Sequence, residues 1–453
     1  MTIAAALAQI LTCTAFDDLP ALAVDHAAMV VSSTIASAAA GYGIASSEII
    51  RALAKEQGGT PESSIWFDSG PKLPAVNACR VNAVMSDAAA SDDSDLRNIV
   101  HLGTQLTSSA LALGERTGAS GKDVLAAVVL GYETAGRIGA ALMPGYRNLG
   151  FHGCIVATFG SAVASGRMLK LNQQQMAQAI AIAAVSMGGL ATAADTSVAR
   201  EYFAGNAALM GMNAALAAQK GYLAEESILE VKKGFFDVYG GEDIESLTRD
   251  WSKSWDIVTD MAIKLAPGGH PNHTLAEAAA NAAREGNVSA DEVETITMAR
   301  PLSTKMRIGP PSAPSHPRNL VDVAHTPAYF VAAAVADKDF SWVHAAEEKI
   351  FDPVIHQLID KVKVGEPVTQ DAEKFRQGAV VTIKTKDGRS YTSTVYAPRG
   401  SGVRGIDWAD VDKKYRTLVA MTHLNPQKIE DSLKVIHQLR DVENVSTLTR
   451  LLR

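Results

Sequence analysis

The spacing of apolar residues predicts α-helices over most of the first 262 residues of the chain. In several segments apolar side chains recur every three or four residues, which is the pattern of a helix that buries one face. These segments lie near residues 21–40, 96–117, 121–142, 153–170 and 202–220. A further helix is predicted to begin at Asn172, whose side chain can cap it while Gln175 completes a capping box.

After residue 262 the pattern changes to one that mixes strands and helices. Two runs rich in β-branched residues, 379–384 and 390–396, flank Asp387-Gly388, which is a hairpin signal. A third strand is predicted over 292–298, with helical patterns around 320–336 and 342–362. From residue 403 the pattern is helical again. The sequence therefore predicts a mainly α large domain (1–262 and 403–453) and a smaller α+β domain (263–402).

Composition and charge narrow the possible partners. The chain has 453 residues, of which 47% are hydrophobic and 20% charged, as in soluble globular proteins with more than one domain. Lys and Arg number 42 against 49 Asp and Glu, giving a net charge of -7 without a dense basic run. Nucleic acid and anionic membranes are therefore not expected as partners.

The cysteines and the N-terminus indicate a cytoplasmic protein. The three cysteines have no C-x-x-C spacing, so neither a disulfide framework nor a structural zinc site is expected: Cys13, Cys79 and Cys154. The first basic residue is Arg51, whereas a signal peptide needs positive charge near its start. The uncharged stretch between Lys170 and Asp195 is broken by polar residues and is interpreted as a buried helix.

The sequence contains no P-loop, no G-x-G-x-x-G, no H-E-x-x-H and no G-x-S-x-G. His270 and His273 offer two metal ligands, but their Pro/Gly-rich surroundings hold no Cys or acidic companion. We therefore expect neither a metal nor another cofactor.

Several polar residues lie within apolar segments and are candidates for chemistry. The acidic run 92–95, which contains Asp93 and Ser94, precedes His101 and is either an exposed helix cap or part of a site. His152 lies at a predicted helix start, where it either contacts an anion or has a structural role. Arg200 precedes a helix rich in small residues.

The second domain adds three further candidates. Lys264 lies at the junction between the domains, and His325 and Tyr329 are predicted to share one helix face at i, i+4. Dispersed His, Lys, Arg and Tyr without a metal-ligand set indicate proton transfer on an anionic substrate in an interdomain cleft.

Taken in order, several segments resemble motifs of the MmgE/PrpD superfamily, which includes 2-methylcitrate dehydratases, cis-aconitate decarboxylases and iminodisuccinate epimerases. The resemblance covers nearly the whole chain. The matching segments are Val81-Asn82-Ala83, Ser91-Asp92-Asp93-Ser94, His101-Leu102-Gly103, Gly150-Phe151-His152, Thr158–Ala162, Gly205–Ala208 and Gly234–Tyr239. It implies a helical domain, an α+β lid domain, a homodimer, and an active site between the domains that needs no metal.

The resemblance also implies roles for individual residues. Such enzymes form or quench a carbanion beside a carboxylate, which needs a proton-transferring group and cations that hold the carboxylate. The catalytic candidates are His101, His152, Lys264 and Tyr329. The substrate-binding candidates are Asp93, Ser94, Arg200, His273 and His325, with His270 as an alternative to His273.

Three positions depart from the family pattern. Ala90 replaces an Asp, Asp87 replaces a His, and Arg200 replaces a Lys. The loss of the carboxylate at Ala90 bears directly on the dehydratase reaction. A guanidinium stays charged and favours bidentate binding of carboxylate over proton transfer, so Arg200 is expected to bind substrate.

The resulting hypothesis is a metal-independent lyase of the 2-methylcitrate dehydratase type that acts on a small di- or tricarboxylate. An epimerase or racemase of an iminodisuccinate-like acid is the second reading, and a decarboxylase of a cis-aconitate-like acid is the third. A relative that binds a carboxylate without converting it is the non-enzyme alternative. The sequence leaves the identity of the acid open.

Overall fold

The computed structural model describes residues 1–301, 316–371, 374–375 and 377–453. The chain forms two compact units. Unit 1 comprises Met1–Ala194, Val198–Ile263 and Asp407–Arg453, and unit 2 comprises Asp195–Ser197 and Lys264–Ile406. Unit 1 is mainly helical and unit 2 combines a sheet with helices, which confirms the predicted fold class.

Most of unit 1 is built from helices that follow one another along the first 259 residues. They are α1 (Ile3–Cys13), α2 (Ala21–Gly41), α3 (Ala45–Gln57), α4 (Ala75–Ala88), α5 (Leu102–Thr117), α6 (Gly121–Leu142), α7 (Gly145–Asn148), α8 (Cys154–Met168), α9 (Gln173–Ala184), α10 (Ala191–Thr196), α11 (Ala199–Gln219), α12 (Phe235–Tyr239) and α13 (Asp256–Thr259). The predicted capping box is confirmed, since Asn172 accepts from the Gln175 N–H at 2.9 Å and Gln175 accepts from the Asn172 N–H at 3.1 Å.

Helix α8 lies at the centre of unit 1 and packs against α5, α6, α9 and α11. Almost all of its side chains are buried. Small residues allow this close packing: a Cβ at Gly211 of α11 would lie 2.5 Å from the carbonyl oxygen of Thr158 in α8. The alanine- and glycine-rich composition of these segments is therefore a requirement of helix packing.

Two helices of unit 1 are long and apolar enough to cross a membrane, namely α2 and α6. In their most apolar stretches, 83% of the α2 residues and 89% of the α6 residues are buried within the fold. Such burial is typical of core helices, which pass the same test of length and composition. The cytoplasmic location stays a prediction.

A short antiparallel pair of strands holds the acidic run in the interior of unit 1. β1 (Asp93–Asp95) pairs with β2 (Met261–Ile263), and Asp93 lies opposite Ile263. All six residues are buried. The reading of residues 92–95 as an exposed helix cap is therefore wrong.

Unit 2 is organised around a four-stranded sheet. Its strands are β3 (Val293–Ala299), β4 (Val362–Val364), β5 (Ala379–Thr385) and β6 (Ser390–Val395), in the spatial order β4-β3-β5-β6. β3 and β4 are parallel and the other pairs are antiparallel. The predicted hairpin between β5 and β6 is confirmed, and Gly388 in its turn has a φ of +90°, which glycine adopts without strain.

The described residues of unit 2 also form helices. They are α14 (His270–Glu285), α15 (Leu320–His325), α16 (Pro327–Asp337), α17 (Glu347–Ile350) and α18 (Pro353–Ile359). Alternate residues of β3 and β5, including Ile296, Val381 and Ile383, share a core with α14, α16 and α18. The chain then returns to unit 1 with α19 (Trp408–Val419), α20 (Pro426–His437) and α21 (Ser446–Leu451).

The helical pattern predicted around 320–336 is confirmed, but it forms two helices, because the helix is interrupted at Thr326 between α15 and α16. Thr326 has the extended φ and ψ of −105° and 91°. Pro327 explains the break, since its ring disfavours helical backbone at the preceding residue and it has no N–H to donate. His325 and Tyr329 therefore do not lie at i, i+4 on one helix.

Candidate functional site

A cavity in unit 1 brings together two of the predicted catalytic histidines. It lies at the end of α4, the starts of α5 and α8, and α11. Its lining consists of Asp87, Ile99, Val100, His101, Gln105, His152, Gly153, Cys154, Ala157 and Ala204. His101 immediately precedes α5 and His152 lies two residues before α8, so the packing of α5 against α8 brings the two rings to one cavity.

The hydrogen bonds of His101 determine which ring nitrogen can take a proton. Its Nδ1 lies 2.7 Å from the carbonyl oxygen of Asp93 and 3.1 Å from Oγ of Ser94. A carbonyl oxygen only accepts, so Nδ1 carries the proton and Nε2 is the nitrogen with a lone pair in the neutral ring. Oδ2 of Asp92 also lies near the ring, 3.6 Å from Nδ1. His101 therefore has the arrangement of a proton acceptor.

Asp93 and Ser94 lie beneath His101 and are buried. Oδ1 of Asp93 accepts the backbone N–H of Gly103 at 2.9 Å and so caps the start of α5. In this geometry the two residues fix the position and tautomer of His101. Neither residue lines the cavity, and their predicted role in substrate binding stays a prediction.

In the ring of His152 the hydrogen-bond donor and acceptor nitrogens are exchanged relative to those of His101. The backbone N–H of Cys154, at the start of α8, donates to Nδ1 at 3.4 Å, which leaves the proton on Nε2. Burial lowers the pKa of His152 to about 3, and the nearby charge of His101 adds to this effect while Asp87 opposes it. The ring is therefore neutral near pH 7 and presents Nε2–H as a hydrogen-bond donor.

Cys154 lies beside His152 in the cavity wall. Its thiol donates to the carbonyl oxygen of Gly188 at 3.2 Å, and burial raises its pKa to about 12. A thiol that stays protonated is a poor nucleophile. Nothing in the sequence singled out Cys154 or Gln105 as cavity residues, because their positions depend on how the helices pack.

Arg200 is bonded within the protein. Its Nε donates to Oδ2 of Asp87 at 2.8 Å, and Nη2 donates to the carbonyl oxygens of Asp87 and Ala88 at 2.8 and 3.3 Å. Burial disfavours its charge, yet Asp87, followed by Glu201 and Asp92, holds the pKa of Arg200 above its ordinary value. Arg200 is therefore a permanent cation beside the cavity whose charge is largely balanced by Asp87.

Two of the predicted residues belong to the start of unit 2. Lys264 is buried and is the residue after Ile263, the last residue of β2. His273 lies in the first turn of α14, and its Nε2–H donates to the carbonyl oxygen of Pro267 at 3.1 Å. His273 also lines a cavity within unit 2, whereas His270 is fully buried beside it.

His325 and Tyr329 are engaged within unit 2. The Nδ1–H of His325 donates to the carbonyl oxygen of Val321 at 2.9 Å. Tyr329 is fully buried in the core, and its hydroxyl donates to the carbonyl oxygen of His344 at 2.9 Å. Burial raises the pKa of Tyr329 well above its ordinary value. This geometry gives no support to proton transfer by Tyr329.

Residues 1–301, 316–371, 374–375 and 377–453 contain no group of three or more His, Cys, Asp or Glu side chains arranged to hold a metal ion. The cavity in unit 1 combines one imidazole that can accept a proton and one that donates a hydrogen bond, next to a buried Arg–Asp pair.

The family is shown by its two domain profiles. The profile of the MmgE/PrpD N-terminal domain matches residues 5–247, and that of the MmgE/PrpD C-terminal domain matches residues 267–440. The chain belongs to the MmgE/PrpD family.

Several proteins similar to this MmgE/PrpD chain are named as decarboxylases or decarboxylase-like proteins, and decarboxylases are lyases. The chain is 28% identical to cis-aconitate decarboxylase of Mus musculus over 413 residues, which cover 86% of this chain and 81% of the relative. It is 27% identical to the Homo sapiens enzyme over 411 residues, covering 86% and 82%. The cis-aconitate decarboxylase-like protein oryM of Aspergillus oryzae is 23% identical over 411 residues, covering 84% and 82%. These relatives support an enzyme of the lyase class.

Proposed function

We propose that this protein is a metal-independent decarboxylase of a small, unsaturated polycarboxylate of the cis-aconitate class. The observation that carries the proposal is the pair of histidines with opposite hydrogen-bonding polarity in one cavity, His101 as acceptor and His152 as donor. The names of the relatives favour decarboxylation over the dehydration that the sequence analysis placed first.

In this reaction the bond between the carboxylate carbon and its neighbour breaks, and its electron pair stays on the neighbouring carbon. CO2 leaves, and the carbon takes a proton. His152 donates Nε2–H to an oxygen of the substrate that gains charge, which a neutral ring does without giving up its proton. Nε2 of His101 first accepts a proton from solvent, and the ring then delivers this proton to the carbon, which leaves Nε2 ready to accept another.

The remaining predicted residues have supporting roles in this proposal. The backbone carbonyl of Asp93 and the hydroxyl of Ser94 form hydrogen bonds with Nδ1 of His101. These bonds fix the position and the tautomer of the imidazole ring. Arg200 supplies positive charge beside the cavity, reduced by Asp87. Lys264 and His273 keep the roles that the family resemblance implies for them, proton transfer for Lys264 and substrate binding for His273.

The experiment is to incubate the purified chain in deuterated water with cis-aconitate, citrate, methylcitrate and iminodisuccinate, and to follow each acid by NMR. We expect loss of CO2 from cis-aconitate and one deuterium in the product. Gain or loss of water without loss of CO2 would instead identify a dehydratase, and deuterated substrate of inverted configuration an epimerase. Saturable binding of every acid without turnover would overturn enzymatic activity.

Variants then test the two histidines. His101→Asn and His152→Gln should each lower kcat by about 10²–10⁴-fold, the usual contribution of a group that moves a proton or stabilises charge. His423→Gln changes an exposed histidine of unit 1 that does not line the cavity and should leave kcat unchanged. Equal kcat in all three variants would remove the histidines from the proposal.

A further inference from the structure

A second arrangement of histidines lies in unit 2, and the reaction proposed above does not use it. His316 and His356 face each other through their Nδ1 atoms, which are 2.8 Å apart. Nε2 of His316 lies 3.0 Å from Oδ1 of Asp360, and Nε2 of His356 lies 2.7 Å from the carbonyl oxygen of Ile350. His356 is in α18, Asp360 immediately follows this helix, and none of the three side chains lines the unit 2 cavity.

The outer partners determine the protonation of both rings. The carbonyl oxygen of Ile350 only accepts hydrogen bonds, so Nε2 of His356 carries a proton. The carboxylate of Asp360 likewise accepts, so Nε2 of His316 carries a proton. A neutral imidazole has one N–H. In two neutral rings, therefore, both Nδ1 atoms present lone pairs to each other.

The orientation of the two rings brings the Nδ1 atom of His316 directly against the Nδ1 atom of His356. The ring planes differ by 11° and the centroids are 4.8 Å apart. The facing nitrogens are closer, at 2.8 Å, than two stacked rings can approach, so the rings lie nearly edge to edge. Two lone pairs that meet in this way repel unless a cation lies between them.

The cation is either a shared proton or a metal ion, and the surroundings favour a metal ion. Ligating histidines almost always donate their second ring N–H to a carboxylate or a backbone carbonyl, and here one histidine has each kind of partner. The site is open to solvent, since the side chain of His316 is 34% exposed and that of Asp360 71%. Two bonds of about 2.0–2.1 Å to one zinc ion would separate the nitrogens by roughly 3.3 Å, a small movement for a partly exposed ring.

We propose that His316 and His356 form a two-histidine site for a divalent metal ion that prefers imidazole nitrogen, such as Zn²⁺, Ni²⁺ or Cu²⁺, with Asp360 and the carbonyl of Ile350 orienting the ligands. Water completes the coordination. The bound ion links α18 to the segment that leads into α15.

The test is a calorimetric titration of the untagged, EDTA-treated full chain with Zn²⁺ at pH 7.5. We expect one saturable site. His316→Gln and His356→Gln should each weaken binding more than about 100-fold, and Asp360→Asn, which keeps both ligands, by about 10–100-fold. Affinity should fall at pH 5.5, because protons compete for the Nδ1 atoms.

His437→Gln is the matched control. His437 also lies 2.9 Å from a carboxylate, that of Asp412, but it does not face a second histidine, and this variant should bind Zn²⁺ like the wild type. Binding that survives in both His316→Gln and His356→Gln would overturn the proposal. So would the absence of saturable Zn²⁺ binding in the wild type together with an NMR signal from a proton shared by the two rings.

Discussion

Arg200 and Asp87, which are 113 residues apart in the sequence, form a buried ion pair with 2.8 Å between Nε and Oδ2. These are two of the positions at which the family resemblance implies other residues, a histidine in place of Asp87 and a lysine in place of Arg200. The structure shows that the two departures are partners. The pair reduces the positive charge that position 200 offers to a polycarboxylate, and this distinguishes the cavity from one with an unpaired lysine.

Removal of Asp87 should destabilise the fold through Arg200. Asp87→Ala leaves a buried guanidinium without its carboxylate, and we expect the free energy of unfolding to fall by about 3–5 kcal/mol in urea denaturation. Replacing both residues, with Asp87→Ala and Arg200→Met, should recover a large part of this loss. If the effects of the two single substitutions simply add in the double variant, the residues are not energetically coupled.

The low pKa of His152 leads to a prediction about how kcat depends on pH. With a pKa of about 3 the ring remains neutral between pH 5 and pH 8, so its own titration should produce no change in kcat over this range. Any limb of the kcat profile within that range should persist in His152→Gln at a lower absolute rate. A limb that is present in the wild type and disappears in His152→Gln would contradict a neutral, hydrogen-bond-donating role.

A buried group of carboxyls in unit 1 should make stability depend on pH. Arg97 pairs with Asp256, and Asp95 accepts the backbone N–H of Arg97 at 2.8 Å. Burial raises the pKa of Asp95 to about 7, opposed by Arg97 and reinforced by Asp260. Burial also raises the pKa of Asp256 to about 9. Several carboxyls therefore share few positive charges in a dry environment.

The direction in which stability changes with pH follows from the raised pKa of Asp95. Because its pKa is about 7 in the folded chain and about 3.9 in an unfolded one, the folded state binds more protons between these values, and stability falls as pH rises through this range. Asp95→Asn keeps the acceptor oxygen and removes the titration. We expect it to be more favourable relative to wild type at pH 8 than at pH 5 in urea unfolding.

Asp17→Asn, at an exposed position, serves as the control for Asp95→Asn and should leave the pH dependence of stability unchanged. An identical pH dependence of unfolding in wild type and Asp95→Asn would show that Asp95 does not titrate in this range.

The homodimer implied by the family resemblance remains a proposal, and α11 supplies a surface on which to test it. Tyr202 and Met210 of this helix are exposed large apolar residues, 45% and 40% accessible. We expect light scattering to give the mass of a dimer, and Met210→Glu to shift it toward the monomer by placing a charge in an apolar interface. Met421→Glu, at another exposed apolar position, should leave the mass unchanged. A wild-type monomer at micromolar concentration would contradict the proposal.

Features that depend on neighbouring residues were predictable from the sequence. The helix start at Asn172 and the hairpin at Asp387-Gly388 are encoded within a few residues, and the structure contains both. The break before Pro327 was also encoded locally, but the continuing apolar spacing from 320 to 336 concealed it. The segments that resemble the family motifs likewise contain His101 and His152.

Only the tertiary structure decided the surroundings of those residues. The acidic run 92–95 is buried because β1 pairs with β2 and because Asp93 caps α5 beneath His101, and both contacts depend on distant segments. The opposite polarity of the two histidines arises from the backbone groups that each ring meets at its helix start. The Asp87–Arg200 pair joins α4 to α11. Local sequence determines the elements through short-range spacing and caps, whereas charge balance and tautomer depend on long-range packing, which a linear pattern does not contain.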